Sequence, residues 1–318
     1  MPQTPSATPP ADVSARLPLR GWALEFARRW NAGTYSLFVL HGNIFDLFPV
    51  AEREGIAFVP LKAFLARRLF PAREFLLFYD IGDGLTFGTP EMQKRFFEWL
   101  EVYDQVEKTS YREQGPPRDF LRLAPLLRRF FLRVGEDKQW NGITLIVDYP
   151  EKIVPAAEEA GAMMDERMAL VTLLKWASSP ELRRLDIGVI LATESAAELH
   201  GDLLQNPYVA QVRIDLPDAP DRALFLETEV ARRLAGGRPA EQWSELPLPD
   251  LAQRTAGLNL VRLQHLAAEA IRNESRLSLD HLSRGKKRLI EEYCQGLVRF
   301  KEPKPGLNLD AVAVHHAA

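Results

Sequence analysis

The sequence has little cysteine and lacks long apolar runs, and both features restrict its class. A single cysteine, Cys294, among 318 residues excludes an internal disulfide framework and leaves too few thiols for a thiolate metal site. A membrane-spanning helix needs about 18 consecutive apolar residues, and no such run occurs. The net charge of −3 provides no globally basic surface for nucleic acid. We therefore expect a cytoplasmic chain without a membrane span, and nucleic acid is not the partner that its overall charge favours.

The sequence also lacks the glycine-rich loop by which many nucleotide-binding proteins hold phosphate. In that loop, G-x-x-x-x-G-K-[ST], backbone N–H groups surround the phosphates, the lysine neutralises them and the hydroxyl holds Mg²⁺. After an apolar run that ends at His41, this chain instead continues with GNIFD (42–46). That turn has large apolar side chains and a negative charge where phosphate requires N–H groups and a positive charge. Any nucleotide therefore has to be held in another way.

Short apolar runs alternate with helical patterns along most of the chain. Segments with helical spacing separate the runs, which lie at 34–41, 74–81, 142–151, 187–195 and 209–217. Such runs are typical of a parallel sheet that is buried on both faces. From Asp218 onward only helical patterns remain, at about 219–235, 248–255, 259–273 and 279–298. We therefore predict an α/β domain with a five-stranded parallel sheet, followed by a small all-helical domain.

Both ends of the sequence have the composition of flexible segments. The first 17 residues contain four prolines and no apolar cluster. Beyond Phe300, the stretch KEPKPG (301–306) is typical of a linker. We therefore expect a disordered arm at 1–17, a sheet domain at 18–217, a helical domain at 218–298 and a linker that begins at residue 299.

The order of these elements and four short stretches resemble the AAA+ ATPase module. LIVDYPE (145–151) is similar to the Walker B strand, and VILATES (189–195) is similar to the strand that ends at sensor 1. NPYVAQVRIDLPDAPDR (206–222) resembles the connection to the helical lid. TAGLNLVRLQHLAAEAIR (255–272) resembles the lid helix, with Arg262 at the sensor-2 position. The resemblance implies a P-loop NTPase-like sheet domain with a lid, and ATP with Mg²⁺ as the cofactor.

The resemblance places residues of different chemistry at the positions that carry catalysis in this family. Asp148 retains the carboxylate that would face Mg²⁺, but Tyr149 occupies the position of the glutamate that orients water. A phenol with a pKa of about 10 cannot act as that base at neutral pH. Glu151 is an alternative base two residues further on. Glu194 or Thr193 aligns with the sensor-1 asparagine, and a carboxylate there would repel phosphate.

These changes imply a module that keeps the AAA+ shape without hydrolysing ATP, because phosphoryl transfer depends on positioning and charge neutralisation. It would act as an assembly or regulatory part of an ATP-driven remodelling complex. If ATP does bind, the candidate contacts are Gly42, Asn43 and Arg262, with Asp148 as the Mg²⁺ ligand. Two alternatives remain: an active ATPase with an unconventional phosphate turn, and a clamp-loader-like structural subunit that binds DNA.

The turn itself leads to two opposed expectations. If it replaces the phosphate loop as packing, the side chains of Ile44, Phe45, Leu47 and Phe48 should fill the space of a nucleotide. If it is a ligand site, the side chains of Asn43 and Asp46 should be exposed. We favour the packing role.

The tail implies partners. LDAVAVHHAA (309–318) resembles the entry to a second AAA+ module, although Val314 stands where that pattern has glycine. We therefore expect either a truncated chain or the first half of a tandem protein. The expected partners are other AAA+ subunits or a C-terminal AAA+ module, with a homo-oligomer in the full-length protein.

Overall fold

The computed structural model describes residues 17–52, 55–134, 142–156 and 163–293. The chain divides into two compact units, with the boundary between Leu216 and Pro217. Apart from Leu17, the predicted disordered arm lies outside the described residues, as do Cys294 and the predicted linker and module entry at 299–318. No helix within the described ranges is long and apolar enough to cross a membrane.

A six-stranded sheet forms the centre of the first unit, in the order β5-β4-β6-β7-β1-β8. All neighbouring strands are parallel except β4 and β5, and β2 and β3 form a separate antiparallel hairpin. The described residues form eight strands: β1 (Leu37–Gly42), β2 (Leu47–Glu52), β3 (Gly55–Pro60), β4 (Phe75–Asp80), β5 (Gly84–Phe87), β6 (Ile143–Asp148), β7 (Ile187–Thr193) and β8 (Val209–Ile214).

The predicted α/β class is confirmed, whereas the predicted number of five strands is wrong. The sixth strand, β5, has four residues and pairs antiparallel with β4 after a tight reversal of the chain. The carboxylate of Asp80 accepts hydrogen bonds from the backbone N–H groups of Gly82 (2.9 Å) and Asp83 (2.8 Å), which stabilises the reversal. Four residues are too few to give a clear apolar run in the sequence.

Both faces of the sheet are buried, as the continuous apolar runs predict. In β1, Leu37 and Val39 lie in the core on one side of the sheet, and Phe38 and Leu40 lie in the core on the other. All seven residues of β7 are buried. This pattern arises because successive side chains of a strand point to opposite faces.

Helices cover both faces of the sheet. Phe26 of the first helix and Phe64 of the second pack on the Phe38 side, while Phe96 and Phe130 pack on the other. The helices are α1 (Gly21–Asn31), α2 (Leu61–Phe64, continued by a π-helical turn at Leu65–Leu69), α3 (Pro90–Glu107), α4 (Tyr111–Gln114), α5 (Phe120–Val134), α6 (Met164–Ser178), α7 (Pro180–Arg184) and α8 (Gly201–Gln205).

Two successive helices, α6 and α7, lie before β7. Ser179 is extended between α6 and α7, and its hydroxyl accepts a hydrogen bond from the backbone N–H of Leu182 at 3.3 Å. Pro180 then occupies the first position of α7, where its missing N–H costs nothing. The serine cap and the proline therefore separate the two helices.

The second unit is helical, as predicted. It contains α9 (Ala219–Phe225, continued by a π-helical segment at Leu226–Leu234), α10 (Leu248–Arg254), α11 (Leu260–Arg272) and α12 (Leu279–Tyr293). Arg222 is buried, and its Nε donates to the carbonyl of Ala252 at 2.8 Å, which joins α9 to α10. One isolated parallel bridge pairs Ser244 with Leu277.

Candidate functional site

The predicted site residues of the first unit gather at one edge of the sheet. Strands β1, β6 and β7 are parallel, with β7 between the other two, so their carboxyl ends lie side by side. Ligands of open α/β sheets bind at this edge. The structure places seven of the candidates there, namely Gly42, Asn43, Asp148, Tyr149, Glu151, Thr193 and Glu194.

Arg262, the eighth candidate, lies in the second unit. It occupies the first turn of α11, and its backbone N–H donates to the side chain of the capping residue Asn259 at 2.9 Å. This contact explains where α11 begins.

The first three N–H groups of the GNIFD turn are used within the protein. The N–H of Gly42 donates to the carbonyl of Glu194 at 3.1 Å, and the N–H of Asn43 donates to the carbonyl of Ile214 at 2.9 Å. The N–H of Ile44 turns back to the carbonyl of Gly42 at 2.8 Å. The turn therefore lies against the ends of β7 and β8, and its first donors face protein carbonyls.

Gly42 is required by this close approach. Its φ is 103°, a conformation that residues with a side chain rarely adopt. A Cβ atom built at this position would lie 2.6 Å from the carbonyl oxygen of Ile214. The single glycine of the turn thus allows backbone to pack on backbone.

The side chains of the turn divide between core and surface. Ile44 and Phe48 are buried, and the Phe48 ring lies 5.4 Å from that of Trp22 and 5.5 Å from that of Phe64. Leu47 is partly buried. Phe45 is 51% exposed, so the expectation that it fills the interior is wrong. Phe45 stands in the turn between β1 and β2, where residues 44 and 46 are buried and its own ring is outside.

The polar side chains of the turn bind each other. Asn43 Nδ2 donates to Asp46 Oδ2 at 2.6 Å, and Asp46 is only 2% exposed. The ligand-site alternative required an exposed Asp46, and that expectation is wrong. Asp46 acts as an internal acceptor that holds the turn closed.

A β-hairpin follows the turn where a phosphate loop would lead into a helix. Strands β2 and β3 pair in register from Leu47 with Pro60 to Glu52 with Gly55, and α2 begins only at Leu61. A phosphate loop depends on the N–H groups and dipole of the helix that follows it. Sequence reasoning missed the hairpin, although two apolar runs around a polar, glycine-containing segment are its usual signal.

Asp148 forms an ion pair with a lysine that the sequence did not single out. Lys62 Nζ, on α2, lies 2.5 Å from Asp148 Oδ2. Burial raises the pKa of Asp148, and neighbouring Asp80 adds to this effect, while the hydrogen bond and charge of Lys62 oppose it. No sequence signal identifies Lys62, because the contact depends on how the hairpin places α2 beside β6.

The other candidates at the end of β6 and β7 also have partners. Thr193, which is buried, donates its hydroxyl to Glu151 Oε2 at 3.1 Å. Tyr149 is 47% exposed with a φ of 52°, and its ring lies 5.9 Å from that of Phe45. Glu194 is exposed, and its contribution to the turn is its backbone carbonyl.

A histidine at the end of β1 completes the edge. Burial lowers the pKa of His41, and the nearby charge of Arg213 lowers it further, against the opposing effect of Asp215.

Within the described part of the chain, no three histidine, cysteine or acidic residues are grouped so that they could hold a metal ion. At this edge, the carboxylates of Asp148 and Glu151 thus have partners within the protein.

Two family profiles match the chain. The profile described as "AAA+ chaperone, N-terminal Rossmann-like domain" matches residues 9–215, and that described as "AAA+ chaperone, second helical domain" matches residues 221–295. Among solved structures, a chain from the E. coli MS115-1 HORMA:CdnC:Trip13 complex is similar, with 13% sequence identity and a TM-score of 0.46. The alignment covers 82% of this chain and 80% of that one. No curated protein matches the sequence.

Proposed function

Because this chain belongs to the AAA+ chaperone family, we propose that it is a non-hydrolysing AAA+ module and an assembly or regulatory part of an ATP-driven remodelling complex. The observation that carries the proposal is the GNIFD turn. Its first three N–H groups donate to protein carbonyls, whereas a phosphate loop must direct such groups at the phosphates. ATP would have to break these hydrogen bonds before it could form its own.

The ion pair between Lys62 and Asp148 supports the same proposal. Asp148 is the carboxylate that would face Mg²⁺, and an ammonium group already lies 2.5 Å from it. Mg²⁺ binds oxygen ligands with strict geometry and dehydrates reluctantly. The residues present therefore do not fit Mg²⁺-ATP.

The positions that would orient water support it as well. Tyr149 cannot act as a base at neutral pH, and its exposed ring lies beside Phe45. The carboxylate of Glu151 accepts the hydroxyl of Thr193, which joins the ends of β6 and β7. These side chains stabilise the edge of the sheet, so the contribution of the module is its shape and its surfaces.

The partners that follow from this proposal are other AAA+ modules, either in separate subunits or in the same polypeptide. Contacts between different faces of one module close into rings or extend into filaments. We propose that the protein forms a homo-oligomer and that this module contributes to its interfaces. Light scattering of the purified protein with and without ATP tests this: oligomers are expected, and a strict monomer would contradict it.

Calorimetric titration with Mg²⁺-ATP tests the proposal at the level of binding, with an AAA+ protein that has an intact phosphate loop as a parallel control. We expect no saturable heat for this chain. Saturable binding that is lost in Asp148→Ala would favour the active-ATPase alternative instead. A duplex DNA titration in low and high salt tests the clamp-loader alternative, which requires salt-dependent binding.

A further inference from the structure

Two aromatic rings lie exposed beside each other at the carboxyl edge of the sheet. Phe45, in the turn after β1, is 51% exposed, and Tyr149, directly after β6, is 47% exposed. Their ring centroids are 5.9 Å apart. Ile81, directly after β4, is 56% exposed at the end of the strand next to β6. Adjacent exposed apolar side chains mark interaction surfaces more often than isolated ones do.

The backbone holds Tyr149 in its exposed position at a cost. Its φ of 52° is in the left-handed region, which is unfavourable for a bulky residue. The following residue, Pro150, is buried. Strained backbone conformations of this kind cluster at binding and active sites. The φ of Tyr149 therefore points to a functional role for its exposed ring.

Negative charge surrounds the rings. The described residues at the ends of β1, β4, β6, β7 and β8 include the carboxylates of Asp80, Asp83, Asp148, Glu151, Glu194 and Asp215. The cations near them are Lys62, paired with Asp148, Lys152, 3.8 Å from Glu151, Arg213, 3.4 Å from Asp215, and Arg118, which donates to the carbonyl of Gly82 at 3.4 Å. The six carboxylates outnumber these four cations, and three of the four cations have a carboxylate neighbour. Such a surface repels a triphosphate and attracts a cation.

We infer that this edge of the sheet carries a docking surface, formed by Phe45, Tyr149 and Ile81. Its partner is a polypeptide segment with arginine or lysine beside apolar side chains. A guanidinium or ammonium group is attracted to the face of an aromatic ring. The surrounding carboxylates add a long-range attraction, and the apolar neighbours of the cation cover Ile81. The inference rests on the proposed function, because a bound nucleotide would compete for this edge.

Fluorescence anisotropy with labelled octapeptides tests the inference. The probe alternates arginine and leucine, and the comparison peptides alternate serine and leucine or glutamate and leucine. We expect saturable binding of the arginine peptide, weaker binding of the serine peptide and none of the glutamate peptide. Added salt should weaken the arginine peptide most, because the attraction between exposed charges is screened.

Substitutions of the two aromatic residues test whether the arginine peptide binds at this surface. Each of Phe45→Ala and Tyr149→Gly should weaken binding of the arginine peptide about two- to fivefold. Glycine is chosen at position 149 because it adopts a positive φ without strain. Tyr208→Ala is the matched control, since Tyr208 is 45% exposed in the same unit and should leave binding unchanged.

A charge substitution separates electrostatics from apolar contact. Glu194→Gln removes an exposed carboxylate while its backbone carbonyl can still accept the N–H of Gly42. It should weaken the arginine peptide and leave the serine peptide unchanged. An equal effect on both peptides would overturn the electrostatic part of the inference.

The inference is overturned if the double variant Phe45→Ala/Tyr149→Gly binds the arginine peptide as tightly as the parent, or if the glutamate peptide binds equally well. Self-association that the double variant abolishes, without peptide binding, would assign the surface to a second copy and also overturn it. If the parent neither turns over ATP nor binds the peptide, this inference alone fails. ATP turnover by the same preparation overturns the proposed function, whether or not the arginine peptide binds.

Discussion

The ammonium group of Lys62 lies 2.5 Å from the carboxylate of Asp148, and the ion pair joins the first turn of α2 to the end of β6. The side chain of Lys62 is 43% exposed, whereas that of Asp148 is only 20% exposed. The lysine also lies 5.5 Å from the ring of Phe78. A positive charge supplied by the protein itself thus balances the carboxylate that would otherwise face a metal ion.

Removal of this lysine should destabilise the protein. Lys62→Met leaves Asp148 largely buried without its ammonium partner, and we expect a loss of about 1–2 kcal/mol in urea denaturation. Lys94→Met is the control, because Lys94 is 67% exposed and should change stability little. The double variant with Asp148→Asn should recover part of the loss, since no buried charge then remains. Strictly additive effects would contradict a coupling between the two residues.

The same carboxylate should make stability depend on pH. Burial raises the pKa of Asp148 above the ordinary value of 3.8, with Lys62 opposing and Asp80 adding to the rise. The folded state then binds more protons than the unfolded state between these two pKa values, so this residue reduces stability as the pH rises through that window. Asp148→Asn removes the effect.

Melting curves measured across this pH window test that sign. The stability of Asp148→Asn relative to the parent should increase as the pH rises above 3.8. A relative stability that decreases over the same window would mean that Lys62 outweighs burial and that the pKa of Asp148 is depressed.

The glycine of the turn should tolerate no side chain. Gly42→Ala adds a Cβ atom 2.6 Å from the carbonyl oxygen of Ile214 at a φ of 103°, and we expect a loss of roughly 3 kcal/mol. Gly33→Ala is the control for the conformation alone, because Gly33 has a φ of 65° and no atom within 4 Å of its added Cβ. It should cost about 1 kcal/mol. Equal losses in both variants would show that the contact with Ile214 is unimportant.

Two phenylalanines in one segment should differ in their contribution to stability. Phe48→Ala removes a buried ring that contacts Trp22 and Phe64, which should cost about 3–5 kcal/mol. Phe45→Ala removes a ring that is 51% exposed and should change stability by no more than about 0.5 kcal/mol. Thermal denaturation of the two variants gives the comparison, and a large loss for Phe45→Ala would contradict the exposed position of its ring.

The sheet and the helical unit were predictable because burial leaves a strong periodic signal. The run at 187–195 became β7, in which every residue is buried, and the run at 34–41 gave β1. The hairpin β2–β3 was not predicted, since Pro49 and Pro60 weaken the pattern of a strand. The positions of α2 and Lys62 follow from the hairpin, so they were not predicted either.

The candidate site was predictable in location but not in its contacts. Parallel strands bring their carboxyl ends together, so Asp148 and Thr193 were expected near Gly42. The partners of these residues depend on the register of the strands and on the path of the turn. The hydrogen bond between Thr193 and Glu151, and that between Asn43 and Asp46, therefore appear only in the structure.

ATP turnover, measured as phosphate release by the purified protein beside a mock preparation, tests the central claim most directly. The first three N–H groups of the turn are used internally, Asp148 is paired with Lys62, and Tyr149 replaces the water-orienting glutamate. We therefore predict release no higher than that of the mock preparation. Turnover that persists through purification and disappears in Asp148→Ala would contradict the non-hydrolysing module.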